Sequence, residues 1–291
     1  MIKQVFFLSF ICFILISCSS NRATLENDNS QSFERSRTGF HTKLIKNEPA
    51  PQEYSKDLPP RGVSEIKYKS GDLELRAWIS ELPNNGEQHP AVVYVHGGFS
   101  FGTEDWKNAK RFQDAGYIVL TPMLRGENGN PGSFELFFGE VDDVISAGNL
   151  LLSFKDVDPK RIFLAGHSSG GTISMLVSML PSTYRAIATY GAAPDQERFL
   201  KSGWDKVAPF DAKDVTEVAM RSPNKFIQSI QKQLIVYVGK KDTDHLKENN
   251  NFVQTAKQNG ESCDFTLIEG DHFTSLDKSI LDSIDKFNKM Q

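Results

Sequence analysis

Short, nearly continuous apolar runs alternate with longer amphipathic segments along most of the chain. Such apolar runs are typical of strands buried on both faces of a sheet, and the intervening segments repeat their apolar positions at helical spacing. Together they predict a mostly parallel central sheet with helices on both faces, which is an α/β fold. The predicted strands are 91–95, 117–121, 161–165, 186–190, 234–238 and 263–268, and the predicted helices are 106–115, 141–154, 172–180, 246–258 and 275–287.

Two further segments add to this alternation. Residues 65–69 and 73–79 alternate apolar and polar positions around Ser70-Gly71-Asp72, a pattern that predicts an N-terminal β-hairpin. Residues 194–230 form the longest interruption between predicted strands, so we expect them to be a cap over the site. The sequence contains no internal repeat, and residues 61–291 are therefore predicted to form one domain.

The N-terminal residues predict an export signal. A short basic start is followed by the almost wholly apolar run 5–16, which is too short to cross a bilayer comfortably, so residues 1–17 are interpreted as a signal peptide. The run Leu15-Ile16-Ser17-Cys18 resembles the lipobox of bacterial lipoproteins. This resemblance implies that Cys18 becomes the lipidated first residue of an envelope protein, in the outer membrane if there is one. The alternative is an ordinary secretory peptide with an incidental cysteine.

Residues 18–60 are rich in Ser, Asn, Arg, Pro and Glu and show no sustained periodicity. This composition predicts a flexible tether between the lipid anchor and the domain.

The 33 basic and 37 acidic side chains give a net charge of −4 without a long basic block, so no nucleic-acid partner is indicated. Of the three cysteines, Cys12 and Cys18 belong to the signal and anchor, and Cys263 is interpreted as a small core residue.

The most informative motif follows the strand 161–165. Gly166-His167-Ser168-Ser169-Gly170 is a G-x-S-x-G pattern between a predicted strand and a predicted helix. In that context the serine lies on a strained turn, with its hydroxyl exposed above the sheet edge and the Ser169 N–H directed to a developing oxyanion. The alternative interpretation is a Gly/Ser-rich turn in which Ser168 or Ser169 caps the helix.

A serine hydroxyl becomes a nucleophile when an imidazole accepts its proton and a carboxylate holds that imidazole. Where a G-x-S-x-G turn carries the serine, the acid and then the histidine follow the serine along the chain. The histidines after Ser168 are His245 and His272. His272 follows the last predicted strand, at the edge where α/β sheets carry their chemistry, so we predict that it is the base. His245 lies in a charged run and is interpreted as a surface residue.

Several aspartates could orient that histidine. Asp242 follows the strand 234–238 after a short Gly-Lys-Lys turn and is the predicted acid. Asp244 is the near alternative and Asp195 the distant one. Asp271 adjoins His272 in the chain, so its side chain is badly directed to orient that ring. Each of the four could instead be a turn residue.

The second oxyanion donor is expected in the loop after the strand 91–95. His96-Gly97-Gly98-Phe99 stands there, and its glycines let backbone N–H groups approach a substrate oxygen without obstruction. We predict the N–H of Gly98 or Phe99 as this donor, and the sequence leaves the choice open. His96 is interpreted as a structural brace of the loop.

These motifs resemble the α/β-hydrolase superfamily and, within it, the catalytic domain of the prolyl oligopeptidase and dienelactone hydrolase-like groups. The resemblance implies that Ser168 is the nucleophile, Asp242 the acid and His272 the base. Oligopeptidases of that group carry an N-terminal β-propeller that filters peptides, whereas a tether and a hairpin precede the domain here, which favours ester substrates. The resemblance extends from about residue 63 to the end and rests on 95–99, 122–126, 166–171, 221–223, 239–242 and 270–273.

We therefore expect a serine hydrolase that cleaves small-molecule carboxylic esters through an acyl-enzyme on Ser168. A peptidase of the prolyl oligopeptidase type, acting on short peptides or aminoacyl compounds, is the alternative within the same class. A lipid-anchored binding protein that keeps the fold without turnover is the alternative from another class. No metal-ligand cluster is visible in the sequence, and the expected chemistry requires no metal or organic cofactor.

Overall fold

The computed structural model describes residues 32–290. The predicted signal peptide, 1–17, and the predicted lipidation site Cys18 lie outside these residues. Between residues 32 and 290, no helix has the length and apolar character needed to span a membrane.

The described residues contain eight strands in one sheet, in the order β1-β2-β4-β3-β5-β6-β7-β8. The first two strands form the predicted hairpin, β2 is also antiparallel to β4, and all other neighbours are parallel. The predicted α/β fold class is thereby confirmed. The strands are β1 (Val63–Ser70), β2 (Leu73–Ser80), β3 (His89–Val95), β4 (Ile118–Pro122), β5 (Val157–His167), β6 (Ala186–Tyr190), β7 (Gln233–Gly239) and β8 (Cys263–Ile268).

Helices cover both faces of the sheet. They are α1 (Phe33–Thr38), α2 (Thr103–Asp114), α3 (Glu140–Leu151), α4 (Ser169–Val177), α5 (Gln196–Lys201), α6 (Val215–Ala219), α7 (Thr243–Gln258) and α8 (Leu276–Asn288). Because successive side chains of a strand point to opposite faces, neighbouring residues join different cores. Val92, Phe163 and Ile235 belong to the layer of α2 and α8, whereas Val93, Leu164 and Val236 belong to the layer of α3, α4 and α7. Cys263 is buried in the latter layer, as predicted for a small core residue.

Residues 32–60 lie against the domain, which differs from the predicted flexible tether. Phe33 is fully buried, and Leu44 forms an isolated β-bridge with Phe210. The Ala50 N–H donates to the Gly126 carbonyl oxygen at 3.0 Å. Composition alone predicts a linker here, because the partners that order these residues lie far away in the sequence.

The segment 194–230 carries α5, α6 and three 3₁₀ helices, Trp204–Val207, Pro223–Lys225 and Ile227–Ser229. A buried arginine joins this segment to the N-terminal residues. The Arg221 guanidinium donates to Glu217 Oε2 at 2.7 Å and to Thr42 Oγ1 at 2.8 Å, and it stacks on the Phe210 ring. Because this charge is paired and hydrogen-bonded, it can be buried and can fix the two segments to each other.

Candidate active site

Ser168 lies on a strained turn between β5 and α4. Its φ of +53° and ψ of −116° fall in a region of backbone conformation that is unfavourable for residues other than glycine. The turn is held by the Ser168 N–H, which donates to the Tyr190 carbonyl oxygen at 2.8 Å. A side chain at Gly166 or Gly170 would collide with the neighbouring backbone. Ser168 occupies the N-cap position of α4 but makes no side-chain capping bond, so the helix-cap interpretation does not account for this strained turn.

The predicted acid and base lie at the same edge of the sheet. Asp242 follows β7, His272 follows β8, and the Nδ1 atom of His272 lies 2.8 Å from Oδ2 of Asp242. Gly191 makes this approach possible, because a Cβ atom there would lie 2.7 Å from His272 Nδ1. Burial alone would raise the pKa of Asp242, but hydrogen bonds from His245 and His272 hold the pKa of this carboxyl well below its ordinary value. The acid therefore stays ionised at neutral pH.

His245 lies in the site, so its interpretation as a surface residue is wrong. Its Nδ1 atom is 2.8 Å from the second carboxylate oxygen of Asp242, Oδ1. The His245 and His272 rings stack with their centroids 4.7 Å apart. Asp242 is therefore shared by two histidines. The three-residue spacing between Asp242 and His245 at the start of α7 is the sequence signal that could have revealed this contact.

Two more histidines lie close to the turn. The Nε2 atom of His167 is 3.3 Å from the His272 carbonyl oxygen, and burial together with the nearby His272 lowers the pKa of His167 to about 4. His96 braces its loop, with Nε2 at 3.0 Å from Glu127 Oε2 and Nδ1 at 3.0 Å from the Gly97 carbonyl oxygen. Burial alone would lower the pKa of His96, but the Glu127 carboxylate raises it to about 9. The loop therefore contains a buried ion pair at neutral pH.

The other aspartates considered in the sequence serve as turn and cap residues. Asp195 accepts from the Arg198 N–H at the start of α5. Asp271 accepts from the N–H groups of the two residues after His272, and Asp244 lies exposed in the first turn of α7. Among the described residues, none of these three carboxylates is bonded to the His272 ring.

The loop that follows β3 carries the two predicted oxyanion donors, and they differ in whether the backbone N–H is already hydrogen-bonded. The Phe99 N–H donates to the side-chain oxygen of Gln52, Oε1, at 2.8 Å. Within residues 32–290, no acceptor is bonded to the N–H of Gly98 or to that of Ser169. The Ser169 hydroxyl donates to the Gly98 carbonyl oxygen at 2.7 Å and ties the loop to α4. Of the two donors left open by the sequence, Gly98 is the one whose N–H is free.

A cavity of about 290 Å³ lies beside Ser168. Its walls are mainly apolar and carry the aromatic residues Phe99, Phe137, Phe199 and Trp204. The Phe199 and Trp204 rings are stacked with centroids 5.3 Å apart, and both belong to 194–230, which therefore forms one wall of the site. A wider cleft of about 980 Å³ holds Ser168 together with Asp242, His245 and His272. The smaller, apolar cavity suits a small apolar group attached to a reacting carbonyl.

Asp242, His245 and His272 also form the one group of ligand-type side chains in the described part of the chain whose ligating atoms lie within 4.8 Å of one another. This group is not visible in the sequence, because the charged run around His245 indicates a surface residue. Both imidazole Nδ1 atoms are engaged with the carboxylate. Hydrogen bonding of this kind is the geometry that orients a catalytic imidazole.

Comparison with known proteins places this chain in a family of hydrolases. The prolyl oligopeptidase family model (Peptidase_S9) matches residues 104–280, which is more than half of the chain. An uncharacterized peptidase of Bacillus subtilis (strain 168), YtmA, is 27% identical over 192 residues, which cover 61% of this chain and 72% of that protein. The match to the family model includes the turn at Ser168, Asp242 and His272.

Solved structures share the fold. The uncomplexed acylaminoacyl peptidase of Pyrococcus horikoshii superimposes with a TM-score of 0.64 at 19% identity, covering 78% of this chain and 41% of that one. A thermophilic esterase of Thermogutta terrifontis superimposes with a TM-score of 0.61 at 19% identity, covering 78% of this chain and 93% of that one. The chain thus spans about two fifths of the length of the peptidase and most of the length of the esterase. The shared fold agrees with the resemblance carried by the sequence motifs.

Proposed function

The chain belongs to the prolyl oligopeptidase family of serine hydrolases, and from this premise we propose that it cleaves carboxylic esters through an acyl-enzyme on Ser168. The observation that carries the proposal is the pairing of His272 with Asp242 at 2.8 Å, at the sheet edge where the strained turn presents Ser168. A serine, a histidine and an ionised carboxylate are the groups that acyl transfer through a serine uses.

The proposed reaction has two halves. The Ser168 oxygen bonds to the ester carbonyl carbon while its proton passes to His272, and the Asp242 carboxylate stabilises the resulting imidazolium. The N–H groups of Ser169 and Gly98 donate to the oxyanion. The alcohol leaves with the proton from His272. Water then attacks the acyl-enzyme, His272 accepts the water proton and returns it to the Ser168 oxygen, and the acid is released.

Esters are favoured by the pocket and by one structural neighbour. The cavity beside Ser168 is small and lined by aromatic side chains, which suits a short acyl or alkyl group. The Thermogutta terrifontis protein, an esterase, shares the fold over 93% of its own length. The second candidate is cleavage of short peptides or aminoacyl amides. It is supported by the name of the matched family and by the peptidase names of the Bacillus and Pyrococcus proteins.

A substrate panel tests the proposal. The purified full chain is incubated with p-nitrophenyl esters of graded acyl length and with aminoacyl p-nitroanilides, with Ser168→Ala as the control. We expect kcat/KM for short-chain esters to exceed that for the anilides by at least about tenfold, and Ser168→Ala to abolish both activities. A preference for the anilides would establish the second candidate. Absence of turnover on both the esters and the anilides would point to a binding protein.

We also propose that the protein is exported and lipid-anchored at Cys18, on the support of the sequence pattern alone. Cells that express the full chain are grown with a labelled fatty acid, and membrane and soluble fractions are separated. The label and the protein are expected in the membrane fraction, and Cys18→Ala should lose both. Membrane association that survives in Cys18→Ala would contradict lipid anchoring at this residue.

A further inference from the structure

Residues 48–57, which we call the strap, lie across the loops that follow β3 and β4. Backbone and side-chain hydrogen bonds fasten the strap on both sides of one central residue, Gln52. The bonds join the Glu48 carbonyl to the Phe134 N–H, the Ala50 N–H to the Gly126 carbonyl, the Glu53 carbonyl to the Ser100 hydroxyl, and the Asp57 carboxylate to the Thr103 hydroxyl. The position of the Gln52 backbone is therefore set by neighbours before and after it.

The Gln52 carboxamide has a defined orientation. Because its partner is the Phe99 N–H, a donor, the atom at 2.8 Å must be the carbonyl oxygen and not the nitrogen. The contact is close, since a Cβ atom on Gly98 would lie 2.6 Å from the same oxygen. The oxygen is thus engaged by the loop, and the NH₂ group keeps two donors. No described residue accepts a hydrogen bond from that NH₂ group.

Gln52 is an exposed residue that lines the reaction cavity. Gln52 and Ser168 line both the small cavity and the wider cleft that contains His272. Phe99 and Phe137 make the nearby wall apolar. Because water can reach this exposed group in the free site, pairing with it discriminates modestly between substrates that can and cannot accept its hydrogen bond.

We propose that Gln52 is a specificity-determining residue whose NH₂ group donates to a second carbonyl oxygen of the substrate, next to the scissile carbonyl. The site then prefers acyl groups that carry an amide over alkyl acyl groups of equal length. This inference rests on the proposed acyl transfer at Ser168 and names the substrate class of that site. The strap, which the sequence presents as a tether, is then part of the substrate-binding wall.

Two esters of equal length test the inference. The methyl ester of N-acetylglycine and methyl pentanoate have acyl groups with the same number of main-chain atoms, and the acyl group of the first carries an amide. The released acid is titrated for the full-length wild type, Gln52→Ala and Gln52→Glu. The Glu variant keeps an oxygen for the Phe99 N–H but has no N–H donor. We expect the ratio of kcat/KM, amide-bearing ester over plain ester, to fall by roughly three- to tenfold in both variants, which is the usual effect of one lost neutral hydrogen bond.

Gln258→Ala, an exposed glutamine at the end of α7, is the matched control and should keep the wild-type ratio. Labelling of Ser168 by a fluorophosphonate shows that each variant retains a formed site. An unchanged ratio in both Gln52 variants overturns the inference, and so does an equal loss on both esters, because a residue that only shapes the cavity would affect them alike. A wild type that hydrolyses neither ester and takes no label overturns the proposed function itself.

Discussion

The two sides of Ser168 are built in different ways. On the acid–base side, Asp242 and His272 directly follow β7 and β8, so the sheet itself brings them together. On the oxyanion side, the loop after β3 is held by side chains from other segments, including Gln52 and Glu127. The chemical centre therefore depends on the parallel sheet, whereas the substrate wall depends on contacts made by segments outside it.

The largest effect is expected from breaking the acid–base side. Asp242→Asn replaces an oxygen that accepts from His272 with an amide that cannot hold the required tautomer, and this can lower turnover by roughly 10⁴-fold. Ester hydrolysis by the purified variant provides the measurement. Asp244→Asn and Asp195→Asn are matched controls, because those carboxylates serve as turn and cap residues, and each should change turnover by less than about tenfold. A severe loss of turnover in either control variant would assign the role of the acid to the aspartate replaced in that variant.

The brace on the oxyanion side should give a pH-dependent stability. The pKa of His96 is raised to about 9 beside Glu127, whereas an unfolded histidine titrates at about 6.5. The contribution of the His96–Glu127 ion pair to the free energy of unfolding is therefore fully present below about pH 6.5 and is lost as the pH rises through about 9. We expect the free energy of unfolding of the wild type to fall by up to about 3 kcal/mol across this window, as measured by urea denaturation. His96→Gln cannot titrate and should lack this slope, so equal slopes in the two proteins would refute the ion pair.

His245 offers a smaller test on the acid–base side. His245→Ala removes one of the two hydrogen bonds to Asp242 and the ring stacked on His272, and it leaves the Asp242–His272 bond in place. Loss of one hydrogen bond to a charged group should lower kcat/KM for ester hydrolysis by about tenfold. His245→Asn can present an N–H in place of the imidazole Nδ1 and should recover part of the loss. An Ala variant as active as the parent would remove His245 from the positioning of Asp242.

The contrast between the two sides also explains what the sequence could predict. Ser168 and Asp242 follow continuous apolar strands, and His272 follows the last predicted strand, 263–268, so strand pattern and chain order locate all three. For His245, only the three-residue spacing from Asp242 indicates the contact. Gln52 is different, because nothing in its local pattern identifies its partner. Gln52 contacts a loop 47 residues away, and a Pro- and Ser-rich segment has the composition of a linker whether or not it packs. The choice between Gly98 and Phe99 depended on the orientation of one peptide group, which composition and periodicity do not encode.

Covalent labelling shows whether Ser168 is a nucleophile that His272 activates. The purified full chain is treated with a fluorophosphonate, digested, and the modified peptide identified by mass spectrometry. We expect one adduct, on Ser168, with no labelling of Ser168→Ala and labelling of His272→Ala slower by several orders of magnitude. Absence of an adduct on the wild type, or an adduct on another residue together with ester turnover by Ser168→Ala, would contradict this role of Ser168.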